Sequence, residues 1–227
     1  MPFKPIQQGA VLEPVHPEVE RYLLRLIEKP TDHPVLVEME RLAQERNFPI
    51  VGRLVGHFLY QMAKMVGAKR VFEFGSGFGY SAYWFARAVG EGGEVICTDA
   101  DPENRSLAEG FLERAGLRDR IRFQVGLAQE VFKLTEGSFD LCYNDVDKGD
   151  YPEIWRLARA RLRIGGLYIA DNTLWYGRVV KEGPVEDIVP GWTEAIREHN
   201  ERIFSDPDFE AFINPIRDGV LVARRIR

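Results

Sequence analysis

A glycine-rich stretch at residues 69–81 contains the residue types and spacing that point most directly to chemistry. An apolar run ends around the acidic Glu73, and Gly75, Gly77 and Gly79 then alternate along a turn that opens a helical pattern. Glycine is needed where a chain leaving a strand turns with a positive φ, or where a ligand lies against the backbone. The stretch therefore predicts a turn that binds a nucleotide-type ligand.

The residues of this turn help to distinguish a dinucleotide such as NAD from a positively charged cofactor without phosphate. A dinucleotide fingerprint requires a third glycine three positions after Gly77, and the bulky Tyr80 stands there. A carboxylate at Glu73 would also repel a pyrophosphate in a partly desolvated site. A positively charged cofactor without phosphate, of which S-adenosylmethionine (SAM) is the common example, fits better than NAD. A glycine turn that binds no ligand remains the alternative.

The next strand pattern, residues 94–98, ends at Asp99 and is followed by Asp101-Pro102, which begin a helical pattern. In doubly wound sheets, an acidic residue at the end of the second strand accepts hydrogen bonds from ribose hydroxyls, whichever nucleoside is bound. We therefore expect Asp99 to bind a ribose. Its alternative role is the N-cap of the helix, which Asp101 could serve equally well.

Oxygen-bearing side chains follow two further strand patterns. Asp145 comes after the fourth strand, and Asp171 and Asn172 come after the fifth. Because ligands in open α/β sheets bind beyond the carboxyl ends of the strands, these three side chains should converge. Two carboxylates and a carboxamide suit Mg²⁺, with Ca²⁺ or Mn²⁺ as alternatives. Turn and cap roles, common for Asp and Asn, remain open.

The elements that must position these residues alternate along the chain from residue 69. Such alternation predicts a Rossmann-like, doubly wound, mostly parallel sheet. The predicted strands and helices are 69–74 then 80–90, 94–98 then 103–115, 121–125 then 128–134, 139–143 then 151–162, and 166–170 then 191–203. Two last strand patterns, 209–213 and 219–225, are joined by a short turn and predict an antiparallel hairpin at one edge.

Helical patterns at 17–29, 35–47 and 51–66 precede the glycine turn. We expect residues 1–50 to form a helical flank or lid and residues 51–227 to form the cofactor-binding catalytic core. A chain of 227 residues with 45% hydrophobic residues can form a single domain with an ordinary buried core.

Charge and cysteine content exclude several partners. The net charge of −5 and the pI near 5.5 argue against nucleic-acid and anionic-membrane partners, which require a concentrated positive field. Cys97 and Cys142 lie in apolar runs and are expected to be buried free thiols. No leader pattern begins the chain, and no apolar run approaches the roughly 20 residues needed to span a bilayer. We therefore expect a cytoplasmic protein.

Four motifs together resemble the cation-dependent O-methyltransferases, the group that contains catechol and caffeoyl-CoA O-methyltransferases. The motifs are E-x-G-x-x-x-G-Y-S at 73–81, D-x-D-P at 99–102, D-x-D-K at 145–148 and D-N-T-L-W at 171–175. The resemblance covers residues 48–227 and implies a SAM- and divalent-metal-dependent homodimer that methylates one hydroxyl of a vicinal aromatic diol. A SAM-dependent methyltransferase with a non-catechol acceptor is the first alternative. A non-catalytic nucleoside-binding module and an NAD-dependent oxidoreductase are further ones.

The resemblance also implies roles for individual residues. Asp145, Asp171 and Asn172 bind the metal, and Lys148 is the general base, with a solvated lysine paired with Asp147 or Asp150 as the alternative. The positions assigned to the cofactor are Val51, Glu73, Gly75, Ser76, Gly77, Ser81, Asp99, Ala100, Ala128, Gln129 and Asp145.

Four further positions concern the acceptor and the departures from the family pattern. Trp175 and its neighbour Tyr176 are expected to sandwich a flat acceptor, with packing roles as the alternative. Asn144 stands where the family usually has an apolar residue, and is expected to change the surroundings of the metal ligands. Arg217 interrupts the usual P-x-G-D-G turn, and is expected to reshape an edge or a dimer surface.

Overall fold

A computed structural model of the chain describes residues 15–27, 33–181 and 186–227. Within these residues, seven strands form one sheet in the order β3-β2-β1-β4-β5-β7-β6. The predicted fold class and the antiparallel terminal hairpin are confirmed. The strands are β1 Arg70–Phe74, β2 Glu94–Asp99, β3 Ile121–Val125, β4 Phe139–Asn144, β5 Leu162–Ala170, β6 Phe209–Asn214 and β7 Val220–Arg225.

Helices cover the sheet at positions close to those predicted. The last two residues of the predicted helix 17–29 lie outside the described residues. The helices are α1 Pro17–Ile27, α2 Pro34–Arg46, α3 Gly52–Met65, α4 Tyr80–Val89, α5 Pro102–Arg114, α6 Ala128–Leu134, α7 Tyr151–Arg159 and α8 Trp192–Phe204. Pro102 suits the first turn of α5, because its fixed φ is already helical and its missing N–H would have no helical partner.

The strand order reverses beside β1, which pairs in parallel with β2 on one side and with β4 on the other. Ligands of open α/β sheets bind in the crevice at such a reversal, beyond the carboxyl ends of the strands. β4 and β5 are also parallel, with Asn144 opposite Ala170. This register places Asp145 and Asp171, the next residue of each chain segment, side by side at the same edge.

Two apolar cores hold the sheet between layers of helices. Successive side chains of a strand point to opposite faces, so Val71 joins one core and Phe72 the other. Cys97 and Cys142 are both buried and free, as predicted. Because the central strands β1, β2 and β4 are buried on both faces, the rim at their carboxyl ends is where polar side chains can meet a ligand.

None of the helices in the described ranges combines the length and the apolar character required to cross a membrane.

Candidate active site

The glycine turn between β1 and α4 lies directly against the end of β4. Gly75 has a φ of 80°, and a Cβ atom built on it would lie 2.6 Å from the backbone oxygen of Asp145. Gly79, with a φ of 88°, begins α4 and would bring a Cβ within 2.9 Å of Ala108 Cβ. Only glycine fits both positions, because an L side chain would be strained and would also clash. The turn is therefore held close to the segment that carries Asp145.

Glu73, the last acidic residue before this turn, is fully buried. Ser76 Oγ donates a hydrogen bond to its Oε2 at 2.6 Å, whereas Oε1 is buried without a hydrogen-bond partner. Burial raises the pKa of Glu73 to about 7, and the hydrogen bond from Ser76 opposes that rise only in part. A buried acceptor with one unpaired oxygen is suited to a ligand that brings a donor or a positive charge.

Glu73→Gln is expected to stabilise the ligand-free protein at high pH. A carboxyl group whose folded pKa is raised from 4.5 to about 7 contributes stability that is present below pH 4.5 and is lost as the pH rises through 7. The neutral variant avoids that loss, so its free energy of unfolding at pH 8 should exceed that of the wild type by on the order of 3 kcal/mol. Urea unfolding at pH 5 and pH 8 measures the difference.

The matched control for this prediction is Glu136→Gln, which changes an exposed glutamate. The control should not alter the pH dependence of unfolding. A stability difference between wild type and Glu73→Gln that is the same at both pH values would contradict the assignment of a raised pKa to Glu73.

Thr98 joins the glycine turn to β2. Its Oγ1 donates to the Glu73 backbone oxygen at 2.7 Å and accepts from the Gly75 N–H at 3.2 Å. Its own N–H donates to Ser76 Oγ at 3.1 Å, and its carbonyl accepts from the Ser76 N–H at 2.7 Å. Sequence reasoning missed Thr98, although a hydroxyl at the end of an apolar strand pattern was a usable signal.

Asp99 at the end of β2 is oriented toward the glycine turn. Its Oδ2 accepts from the Gly77 N–H at 3.1 Å, and its Oδ1 accepts from the Asp101 N–H and from Asn104 Nδ2 at 2.9 and 3.0 Å. The N-cap of α5 is Asp101, whose side chain accepts from the Glu103 N–H at 2.8 Å. Asp99 is therefore not the cap, and a carboxylate has about four acceptor positions, so it retains capacity for a ribose.

The remaining predicted cofactor residues lie at starts of helices around the same rim. Ser81 is buried in the first turn of α4, and Val51 is buried just before α3. Ala128 begins α6, and the next side chain, Gln129, donates from Nε2 to Asp150 Oδ2 at 3.4 Å. Ala100 is exposed beside Asp99. Their contacts with the cofactor stay a prediction.

Asp145 and Asp171 follow neighbouring strands and influence each other electrostatically. The Asp145 N–H donates to the Phe74 carbonyl at 2.9 Å, and the Asp171 N–H donates to the Asn144 carbonyl at 3.1 Å. Burial raises the pKa of Asp145 to about 6, the charge of Lys148 lowers it, and that of Asp171 raises it. Asp171 is fully buried, and neither of its carboxylate oxygens has a hydrogen-bond partner.

Asn172 lies next to Asp171 with a φ of 54°. Its Nδ2 donates to Asp218 Oδ2 at 3.5 Å, and the other oxygen of Asp218 accepts from the Tyr176 N–H. Asp218 thus binds the amide nitrogen and leaves the Asn172 carbonyl oxygen for another contact. Sequence reasoning gave Asp218 no role at the site, although it belongs to the P-x-G-D-G pattern.

These side chains fit a divalent cation by their chemistry. The two Asp171 oxygens without hydrogen bonds, the Asp145 carboxylate and the Asn172 carbonyl oxygen are hard ligands of the kind that Mg²⁺ prefers. In the described ranges, no three His, Cys, Asp or Glu side chains cluster as a metal site. The predicted set contains only two such groups, and the Asn172 oxygen would complete it.

Lys148 is nearly buried, with 8% of its surface exposed. Its Nζ donates to Asp145 Oδ1 at 3.1 Å and to the Val146 carbonyl at 3.0 Å, and lies 5.1 Å from the centre of the Tyr151 ring. The alternative of a solvated lysine paired with Asp147 or Asp150 is therefore wrong. Burial against the α7 ring holds the amine beside the first predicted metal ligand.

The aromatic pair after the metal ligands is only partly available to an acceptor. Trp175 is 4% exposed, and its indole N–H donates to Asp187 Oδ1 at 3.0 Å. The Tyr176 ring lies 5.5 Å from the Trp175 ring and is less buried. Trp175 is therefore a packing residue, the alternative role given for it above. Tyr176 remains the candidate for contact with an acceptor.

Asn144, the polar departure from the family pattern, is buried at the end of β4. Its Nδ2 donates to the Tyr168 hydroxyl at 3.0 Å, which is 2.9 Å from His199 Nε2. Burial lowers the pKa of His199 to about 4, so the imidazole is neutral at pH 7. Asn200 continues the chain of contacts by donating to the Thr173 carbonyl at 2.8 Å. The departure therefore extends a buried polar network beneath the predicted metal ligands.

Comparison with known proteins assigns this geometry to a family. The family model described as O-methyltransferase matches residues 27–226. The match begins at residue 27, so it extends further toward the N-terminus than the resemblance over residues 48–227 that the motifs indicated. Helices α2 and α3 therefore lie within the matched residues.

Curated relatives and solved structures agree with the family model. Tricin synthase 1 of Oryza sativa subsp. japonica is 34% identical over 179 residues, which are 74% of this chain and 71% of that protein. Caffeoyl-CoA O-methyltransferase of Medicago sativa is 29% identical over 217 residues, covering 91% and 88%.

Among solved structures, an O-methyltransferase from Bacillus cereus in complex with SAH superposes with a TM-score of 0.81 at 28% identity, covering 92% of this chain and 97% of that one. These matches set aside the dehydrogenase and the non-catalytic binding module. The chain therefore belongs to the O-methyltransferase family and is a SAM-dependent O-methyltransferase.

Proposed function

We propose that the protein transfers the methyl group of SAM to one hydroxyl of a vicinal aromatic diol, with a divalent cation, Mg²⁺ first, bound by Asp145, Asp171 and Asn172. The observation that carries this proposal is the fully buried Asp171 carboxylate without a hydrogen-bond donor. It lies beside Asp145, whose backbone oxygen touches the glycine turn. The Arg217 guanidinium lies 3.5 Å from Asp171 Oδ2 without a hydrogen bond, so both carboxylate oxygens keep lone pairs for a metal ion.

The reaction is an in-line displacement. A lone pair of the acceptor oxygen forms the new C–O bond as the C–S bond of SAM breaks, which yields a methyl ether and S-adenosylhomocysteine. When bound, the cation would orient both oxygens of the diol and favour the ionised hydroxyl. Glu73, Asp99 and the glycine turn would hold the donor on the neighbouring part of the rim.

Lys148 is positioned to accept the hydroxyl proton. Its ammonium is bound by Asp145 Oδ1 at 3.1 Å and by the Val146 carbonyl at 3.0 Å. In the proposed reaction the Lys148 amine, beside Asp145, takes the proton of the acceptor hydroxyl as that oxygen becomes the nucleophile.

The proposal also includes the partners and the location of the protein. A small aromatic diol is the expected partner, and the homodimer, the cytoplasmic location and the lack of nucleic-acid and membrane partners remain predictions from the sequence. The Medicago relative is named for caffeoyl-CoA, whose acceptor ring is a vicinal diol, which supports the same class of acceptor here.

A comparison of three acceptors tests the proposal. Catechol offers two adjacent hydroxyls, resorcinol offers two that cannot bind one ion together, and phenol offers one. With SAM and Mg²⁺ saturating, kcat/KM for catechol should exceed that for the other two by about 10²-fold or more, because only catechol satisfies two positions of the site. Mass spectrometry of the products measures single methylation.

Equal kcat/KM values for catechol and phenol would contradict the diol proposal. That result would favour the first alternative, a SAM-dependent O-methyltransferase with a different acceptor.

A further inference from the structure

Arg217, in the turn between β6 and β7, lies against the predicted metal ligands. Its Nη2 is 3.5 Å from Asp171 Oδ2, and its Nη1 donates to the Ile50 carbonyl at 3.2 Å. Asp171 is fully buried, whereas the Arg217 side chain retains 29% exposure. The guanidinium is therefore held on one side by the Ile50 carbonyl. On its other side it faces the Asp171 carboxylate, which has no hydrogen-bond donor.

The backbone of Arg217 supports a specific role for its side chain. Its φ is 51°, in the left-handed region that favours glycine. The P-x-G-D-G pattern has glycine at this position, and the same chain keeps Asp218 and Gly219. A long side chain held in an unfavourable backbone conformation indicates that the surroundings fix it there.

Each of the two carboxylates predicted to bind the metal already has a basic side chain beside it. Asp145 and Asp171 supply two negative charges, and the guanidinium of Arg217 and the ammonium of Lys148 supply two positive ones. Asp218 is the next carboxyl in this group and is bound by Asn172 and Tyr176. A divalent cation entering here would lie close to two cations of the protein itself, which repel it.

We propose that Arg217 is a built-in counter-ion of Asp171, which neutralises this carboxylate in the metal-free protein and weakens the binding of a divalent cation. The inference rests on the proposed metal site and deepens it. The guanidinium must withdraw from Asp171 before the cation binds. The guanidinium and the divalent cation therefore compete for Asp171, and a neutral residue at position 217 would remove this competition.

Titration of the cofactor-free protein with Mn²⁺, followed by the electron paramagnetic resonance signal of free Mn²⁺, tests this inference without any activity assay. Arg217→Gln removes the charge at similar length, and Arg217→Lys keeps it. We expect Arg217→Gln to bind Mn²⁺ roughly tenfold or more tightly than the wild type, since one nearby positive charge is lost. Arg217→Lys should remain close to the wild type.

Arg217→Gly is a second neutral variant, because glycine adopts the observed φ without strain. It should match Arg217→Gln in Mn²⁺ affinity, and circular dichroism of each metal-free variant checks that it is folded. Equal Mn²⁺ affinity of wild type, Arg217→Gln and Arg217→Gly would overturn the counter-ion role.

The variant Asp171→Asn distinguishes failure of the counter-ion role from failure of the proposed metal site. If Asp171→Asn weakens Mn²⁺ binding while the Arg217 variants leave it unchanged, the metal site stands and only the counter-ion role is overturned. If neither the wild type nor any variant binds Mn²⁺, the metal site itself is wrong and both proposals fall.

Discussion

Asp145→Asn is expected to lower kcat/KM for catechol by about 10³-fold or more, because a metal ligand contributes several kcal/mol of charge stabilisation in the transition state. The same change removes the negative partner of Lys148, whose Nζ lies 3.1 Å from Asp145 Oδ1. The affinity for SAM should change much less, since the variant keeps the Asp145 backbone oxygen, against which only a glycine fits at position 75. Initial rates and isothermal titration with SAM measure the two effects separately.

Asp147→Asn is the matched control for this variant, because it removes the other carboxylate of the same D-x-D-K motif and is exposed. It should retain activity near that of the wild type. Similar activity of the Asp145 and Asp147 variants would contradict the assignment of Asp145 to the metal, provided that both are folded by circular dichroism.

Lys148→Met is expected to lower kcat by about 10²- to 10⁴-fold, the usual contribution of a positioned general base. Because catechol ionises at higher pH without help from the protein, the rate of the variant should rise with pH more steeply than that of the wild type. The substitution keeps an apolar stem against the Tyr151 ring, which the Nζ now approaches to 5.1 Å. Values of kcat between pH 6.5 and 9.5 with saturating catechol measure both effects.

The exposed Lys133, which pairs with Glu130 on α6, provides the control for the loss of a lysine. Lys133→Met should leave the pH profile unchanged. An unchanged pH profile for Lys148→Met, with only a rise in KM, would assign the lysine to acceptor binding and exclude it as the base.

Much of the fold could be predicted because its signals are local. Apolar strand runs separated by helical patterns predict a parallel sheet, and Pro102 and Asp101 mark the start of α5 at the observed place. Parallel neighbours end at the same edge, so the order of elements alone brought Asp145 and Asp171 to adjacent strand ends. The register of β4 and β5, with Asn144 opposite Ala170, agrees with that expectation.

Contacts between distant loops could not be predicted in the same way. Arg217 was expected to reshape an edge or a dimer surface, yet its guanidinium faces Asp171, which is 46 residues away in the sequence. Which side chains of two loops touch depends on how the helices and the sheet pack, and periodicity contains no information on that. The partner of Lys148 was missed for a similar reason, since three carboxylates lie within three residues of it and only the fold selects Asp145.

Burial also could not be assigned to individual aromatic residues of a loop. Trp175 and Tyr176 are neighbours of similar character, and only the indole contact with Asp187 shows that Trp175 is a packing residue. The role of Thr98 also depends on packing, because its hydroxyl bonds the Glu73 carbonyl and the Gly75 N–H only once the glycine turn lies beside β2.

The most direct test of the central claim is methyl transfer from SAM to catechol by the wild-type protein stripped of divalent metal. We predict that product formation falls to about 1% or less with excess EDTA, since both the orientation and the ionisation of the diol depend on the cation. Addition of Mg²⁺ beyond the chelator should restore the rate. Full turnover in excess chelator would contradict the account.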